Sequence, residues 1–202
     1  MNNESVFDPK HQIKNLESKI VVALERIAES FRVALWQESK ENKLSPIQMQ
    51  ILIFLLFHSN EKCKVSYLAQ EFNMTKATVS DAVKALAQKK LISKHTDAGD
   101  SRSYEIHLTT EGKEVAQKAA NFAQPIAQPL HALSNNQKKV LYTSLLELIH
   151  KLQQADIISV QRMCFQCRFH RVNQGKHFCA FLDQSLQEEE LRVDCAEFEV
   201  KS

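Results

Sequence analysis

The 202-residue sequence is poor in chain breakers, with only three glycines and four prolines, so it reads as mostly helix. It has no long apolar run. The longest, Ile51 to Phe57, falls far short of the roughly 20 residues a membrane-crossing helix requires, so no membrane partner is expected. The opening MNNESVFDPK has no cationic start followed by an apolar stretch, which argues against secretion and for a cytoplasmic location. No glycine-rich nucleotide loop, no paired catalytic carboxylates and no nucleophile with a partnered base stand out. An enzyme is therefore not expected. Internal repeats and low-complexity segments are also missing. What remains has ordinary globular proportions, 44% apolar and 25% charged. The formal net charge of +2 says little, but its distribution says more. Residues 76–95 carry Lys76, Lys84, Lys89, Lys90, Lys94 and His95 against the single acid Asp81. The stretch from Asp183 to Glu199 is acidic, with Glu188, Glu189, Glu190, Asp194, Glu197 and Glu199. The first segment suits a phosphate backbone and the second does not.

Hydrophobic periodicity places the elements. Ile13, Leu16, Ile20, Leu24, Ile27, Phe31 and Leu35 recur at three and four residues and predict one long amphipathic helix from His11 to Gln37. Its apolar stripe needs a partner, which a second subunit can supply. Ser45 followed by Pro46 is a helix start, and that helix runs to about His58. SNEKCK (59–64) is a polar turn, Val65–Phe72 a short helix, Asn73-Met74 a turn, and Thr75 the cap of a helix reaching about Gln88. Leu91–His95 and Tyr104–Leu108 read as strands around the loop DAGDSRS. A helix follows from Thr109-Thr110-Glu111 to about Phe122, Pro125 and Pro129 bend the path, and a last helix begins at Ser134. That helix aligns Val140, Leu141, Leu145, Leu148, Ile149 and Leu152 on one face.

Two helices, a turn, a third helix and a hairpin over residues 46–108 suit major-groove reading. The entering helix needs small or hydrogen-bonding side chains at its N-terminus. Thr75, Lys76, Ala77, Thr78, Ser80 and Asp81 supply them, while Val79, Val83 and Leu86 face a core that Leu68 completes. The free N–H groups of that helix start can meet phosphate, and Arg102 on the hairpin tip can enter a narrow minor groove. LSPIQMQIL, VSYLAQEFNMTKATVSDAVKALAQKKLI, DAGDSRSYEIHLT and TEGKEVAQ together resemble the multiple-antibiotic-resistance regulator (MarR) family over roughly residues 10–155. The resemblance implies an obligate homodimer whose first and last helices interlock. Its recognition helices would bind adjacent major grooves of a pseudo-palindromic duplex, with the wings in the minor groove. It further implies DNA contacts from Thr75, Lys76, Thr78, Ser80, Lys84 and Arg102; Ser66, Ala77, Asp81, Ser101 and Ser103 complete the expected face. The wing holds fewer arginines than is usual in the family.

Beyond that match, Cys164, Cys167, Cys179 and Cys195 form a C-x2-C-x11-C-x15-C pattern. In a reducing compartment four clustered thiols favour metal over disulfides, and four soft ligands suit a 4Fe–4S cluster or zinc. One C-x2-C pair followed by two isolated cysteines is similar in spacing to high-potential iron–sulfur proteins. Phe165, Phe169, Phe178 and Phe198 beside the ligands can shield a cluster, so 4Fe–4S is preferred and zinc is the alternative. His170 and His177 read as surface or supporting residues beside the four thiolates, with replacement of a cysteine as ligand by either one as the alternative. Cys63, alone in its turn, reads as a bystander that oxidation could reach if exposed.

The expected architecture is thus mainly α. A dimerisation helix (1–38) precedes a winged helix-turn-helix with a two-stranded wing (39–110). Further dimerisation helices (111–158) lead to a cysteine-rich metal-binding segment (159–202). The expected function is a DNA-binding transcription regulator, a repressor, whose tail senses redox state or iron. Loss of the cluster would release the acidic segment and change DNA affinity. A second reading keeps the DNA binding but makes the metal a structural zinc, with a small aromatic effector near Trp36 and His58. A redox electron carrier would explain the cysteines and leave the winged helix without a purpose.

Overall fold

The computed structural model describes residues 5–97, 100–159 and 161–201; the side chains of residues 96–103 lie outside that description. Asp8 caps a short helix, α1 (Pro9–Lys14), and Asn15 caps the 26-residue α2 (Leu16–Glu41) by accepting from Ser18 N at 2.7 Å. The single long helix expected from periodicity is therefore split. Asn15 is extended (φ −120°, ψ 112°), because an asparagine side chain competes for the first free N–H groups of the following turn. Ser45 and Gln48 form a reciprocal capping box at the start of α3 (Pro46–Phe57).

Next come α4 (Val65–Glu71) and α5 (Lys76–Gln88), then the antiparallel pair β1 (Ile92–Asp97) and β2 (Asp100–Leu108), with Ile92 opposite Leu108. The backbone of Asp100–Ser103, expected as loop, belongs to β2. α6 (Thr110–Ala119), the one-turn α7 (Gln124–Ala127) and α8 (Asn135–Gln154) follow, α8 again opened by a capping box, Ser134 with Gln137. The core gathers Met49, Ile51 and Leu52 of α3, Leu68 of α4, Val79, Val83 and Leu86 of α5, Ile106 of β2 and Ala116 and Ala119 of α6, all fully buried. Each large apolar side chain removed from water contributes about 1.5–3 kcal/mol, so this core fixes how α4 and α5 stand to one another. α6 lies against the root of the wing: a Cβ on Gly112 would fall 1.8 Å from the Leu91 carbonyl oxygen.

The tail is folded, which periodicity gave no sign of. β3 (His170–Asn173), β4 (Lys176–Cys179) and β5 (Gln184–Leu186) form a three-stranded antiparallel sheet. A second small core joins Leu146 of α8 to Met163, Cys164, Leu186 and Leu191, and the Tyr142 hydroxyl donates to the Leu191 carbonyl. α2 and α8 otherwise present apolar residues outward: Ile20, Ile27, Phe31 and Trp36 on α2, and Val140 and Leu141 on α8, are exposed. Ile20, Ala23, Leu24 and Ile27 line a groove with Val140 and Leu141. None of the described helices is long and apolar enough to cross a membrane.

Candidate DNA-reading surface and cysteine centre

α5 divides sharply by face. Val79, Ala82, Val83 and Leu86 are buried, while Lys76, Ala77, Thr78, Ser80, Asp81 and Lys84 are exposed. Thr75, its cap, accepts from Thr78 N at 3.1 Å, and the two hydroxyls are 2.9 Å apart. That bond satisfies one free N–H of the first turn and leaves others directed outward, so the helix start carries both hydrogen-bonding groups and the positive end of the helix dipole. Ser66 at the start of α4 is also exposed. All the expected contact residues on α4 and α5 thus share solvent. Ser101, Arg102 and Ser103 on the wing have side chains outside the described residues. Lys89 is exposed, and its ammonium donates to the Lys43 carbonyl at 2.8 Å, which makes it a helix-end tether.

Cys164, Cys167, Cys179 and Cys195 line one mainly apolar space together with Phe169, Phe181, Leu182 and Leu186. Two are set on a single 3-10 turn, where Cys167 N donates to the Cys164 carbonyl at 3.0 Å. Cys179 ends β4, and Cys195 returns on the last segment, whose backbone pairs with the turn: Cys164 N to Arg192 O and Cys195 N to Arg162 O, each 3.0 Å. The sulfurs also have donors. Arg192 N lies 3.2 Å from Cys164 Sγ and Arg192 Nη1 lies 3.6 Å from Cys195 Sγ. Burial raises the Cys164 thiol; the Arg192 N–H opposes this, and Cys195, Cys167 and Cys179 are near enough to raise it further. As the side chains stand, no group of three or more His, Cys, Asp or Glu among the described residues is arranged to hold an ion.

His170 is buried, its Nε2 2.9 Å from Nδ1 of the stacked His177. Burial, and then His177 beside it, pushes His170 down to about 4, so it is a neutral wall of the cysteine space. Cys63 is buried too. Burial pushes its thiol up to about 11, and it donates to the Ser59 carbonyl at 3.3 Å. The oxidisable position conceived for an exposed Cys63 is not there.

Sequence reasoning missed Arg162. Its side chain is 7% exposed and reaches Asp194 twice (Nε–Oδ1 2.8 Å, Nη2–Oδ2 3.0 Å) and Glu71 twice, through Nη1 and through Nη2 at 3.2 Å. Its Nη2 also lies 3.1 Å from His58 Nε2. His58 Nδ1 faces the Phe54 carbonyl at 2.8 Å, and its Nε2 lies 3.4 Å from Asp194 Oδ2. Burial alone would lower the guanidinium, but the bonds to Asp194 and Glu71 outweigh it and raise Arg162 above its ordinary value. His58 and Arg162 hold the Asp194 carboxyl far below the usual carboxylate range. This network occupies His58, one of the two residues expected near an effector, while Trp36 points outward at 62% exposure. The available sign was a charge near a cysteine in each segment, Arg162 two residues before Cys164 and Asp194 directly before Cys195.

Known proteins place the winged helix. The MarR family matches residues 42–103. The HTH-type transcriptional repressor YetL of Bacillus subtilis (strain 168) is 28% identical over 110 residues, covering 54% of this chain and 66% of that protein. The uncharacterized HTH-type transcriptional regulator YhbI of the same organism is 26% identical over 117 residues, 58% and 66% respectively. The chain thus spans just under two thirds of the length of these relatives, which are transcriptional regulators and not enzymes. Among solved structures, the S. aureus MepR–DNA complex superposes with a TM-score of 0.58 at 23% identity, covering 65% of this chain and 97% of that one. A MarR transcriptional regulator from Methanosarcina mazei Go1 gives 0.57 at 18% identity, covering 67% and 97%. About a third of the chain lies outside each structural match. Residues 42–103 are thus similar to the MarR family, and the chain shares the fold of these solved structures.

Proposed function

We propose that the chain is a homodimeric repressor that binds a pseudo-palindromic DNA duplex through α5. The observation that carries this is the polar, cation-bearing exposed face of α5 above a fully buried apolar one, set in a MarR-type winged helix. Lys76 and Lys84 meet phosphate, Thr75, Thr78 and Ser80 meet base edges or phosphate, and Arg102 is assigned to the minor groove. The repressor sense takes support from YetL, which is named as one. The dimer takes support from the outward apolar faces of α2 and α8, which a second copy would cover. Anisotropy titrations against duplexes selected from a random library of about 30 base pairs, long enough for two half-sites one turn apart, test the reading. Binding should weaken steeply with salt, and Lys76→Ala should weaken it evenly across sequences while lowering the salt slope by about one. Binding that ignores salt, or is indifferent to Lys76→Ala and Lys84→Ala together, refutes it.

The four tail cysteines are proposed to hold a 4Fe–4S cluster, with zinc as the alternative. Their convergence on one apolar space, and the two N–H donors aimed at sulfur, support a thiolate-bound centre. The cluster would supply a redox- and iron-sensitive state; the residues bind it and exclude water from it. An absorption spectrum with iron, sulfide and zinc analysis on protein purified without oxygen separates the two. A broad band near about 400 nm with matching iron and sulfide supports the cluster, one zinc per chain supports the structural site, and neither metal refutes both.

A further inference from the structure

We propose that the cysteine centre controls the DNA-reading helix through Arg162, a latch that ties the centre to the end of α4. The inference rests on the DNA-binding and metal-binding readings above and names the physical link between them.

The latch and the centre are built from the same two strands of chain. Arg162 precedes Cys164 by two residues, and Asp194 immediately precedes Cys195. The backbone bonds Cys195 N to Arg162 O and Cys164 N to Arg192 O hold these strands together. Gathering Cys164 and Cys195 around a metal therefore also seats Asp194 against the guanidinium. From there Arg162 leaves the tail, lying 5.2 Å from the centroid of the Phe54 ring and making its second bidentate contact with Glu71. Glu71 is the last residue of α4. Only the tight turn Phe72–Met74, with Asn73 at φ 52°, separates it from Thr75, the cap of α5. Whatever fixes Glu71 fixes the entry of the recognition helix.

Two further bonds join the tail to the same place: Ser159 Oγ donates to Gln70 O at 3.0 Å and Lys62 Nζ to Ala196 O at 2.8 Å. The other side of the tail is seated on α8 through Leu146 and Tyr142. The cysteine unit thus bridges the helix assigned to dimerisation and the element that aims α5. When the centre is lost, the strand carrying Asp194 is no longer held, Arg162 loses one of its two carboxylates, and the constraint on Glu71 relaxes. α5 then samples more orientations, and binding of two half-sites at fixed spacing weakens.

Glu71→Gln tests this in the full chain, because it removes the charge and one of the two acceptor oxygens of the latch on the winged-helix side without touching the cysteines or Asp194. Wild type and variant are compared as purified without oxygen and after oxidation and removal of the metal with EDTA. The readouts are metal per chain, anisotropy with the selected duplex, and amide hydrogen exchange over residues 65–76. In wild type, removal should weaken DNA binding at least about fivefold, the low end of ordinary coupling between sites, and speed exchange over 65–76. Glu71→Gln should retain its metal, exchange rapidly over 65–76 before removal, and show less than about a twofold further change in affinity on removal. Overturning results are a variant that keeps the wild-type response, or a wild type whose affinity and exchange ignore removal. A chain that takes up neither iron nor zinc overturns the proposal outright. A chain that holds metal but binds no duplex removes the DNA-binding reading, and the exchange response alone then decides the latch.

Discussion

Gly112→Ala sets two opposed effects against each other at a position where the structure decides between them. In an exposed helix, alanine is favoured over glycine by about 1 kcal/mol, so propensity alone predicts a more stable protein. At position 112 the added Cβ would lie 1.8 Å from Leu91 O and 2.8 Å from Leu91 C. Both are backbone atoms, so no side-chain rotation relieves the clash. An ordinary C···O contact of about 3.3 Å requires roughly 1.5 Å of movement. The Leu91 carbonyl cannot supply it freely, because it accepts from Thr109 N at 3.1 Å. α6 cannot back away freely either, since Ala116 and Ala119 are fully buried and α6 packs on α3. Overpacking of this kind costs about 1–3 kcal/mol, and weakening the Thr109 bond about 1 more. The net expectation is a loss of about 2 kcal/mol, or some 4–8 °C in melting temperature for a chain of this size. Urea and thermal unfolding followed by circular dichroism, at one fixed chain concentration, measure it. Gly175→Ala is the control: nothing lies within 4 Å of its Cβ, but its φ is +76°, so about 1 kcal/mol is expected from backbone strain alone. A Gly112→Ala protein as stable as wild type, or more so, would show that α6 does not press on the root of the wing as described.

Arg162→Met should cost about 2 kcal/mol. Breaking a buried ion pair typically costs 3–5 kcal/mol, reduced here because the Asp194 side chain is 49% exposed; urea unfolding with amide exchange over 192–201 checks it, and a loss under about 0.5 kcal/mol would class Arg162 with surface ion pairs. Cys63 should stay unlabelled when the native chain is treated with iodoacetamide at pH 9 and become labelled in urea, as peptide mass spectrometry reads directly. Its thiol is raised to about 11 from an ordinary 9.0, so its effect on stability is nil below pH 9 and becomes a loss as pH rises from 9 towards 11, where only the unfolded thiol ionises easily. Ile27→Glu, on the exposed face of α2, should lower the mass measured by light scattering from about twice 23.2 kDa to 23.2 kDa; an unchanged mass would remove α2 from the dimer interface.

The reading head was legible because each of its parts has a local cause. Ser45-Pro46 and Thr75 are caps whose chemistry acts within three residues. Val79, Val83 and Leu86 repeat at the helical period, which separates the buried face of α5 from its polar face without reference to the rest of the chain. The division at Asn15 was hidden for the opposite reason. The apolar stripe runs through it unbroken, and periodicity does not register a side chain that caps the following turn. In the tail, the cysteine spacing announced a ligand set but not the sheet around it. β3 to β5 are three or four residues long, and their burial follows the cysteine space and α8, with no alternation for the sequence to display.

Arg162 shows a deeper limit, because what makes it consequential is not near it in sequence. Its partners lie 91 and 32 residues away, and a guanidinium followed by Met163 and Cys164 reads as an ordinary polar residue beside a ligand. Only the fold reveals that the three nitrogens of one planar group meet two carboxylates and a ring nitrogen from three separate segments. A lysine would present one compact charge and could not hold Glu71 and Asp194 in fixed relation; Arg162→Lys should therefore preserve the charge of the network yet lose its geometry. If the network serves only to hold the tail on, Lys restores most of the stability that Met removes, and DNA binding still responds to metal removal. If it transmits the state of the centre, Lys restores the stability but not the response, a separation that electrostatics without geometry cannot produce.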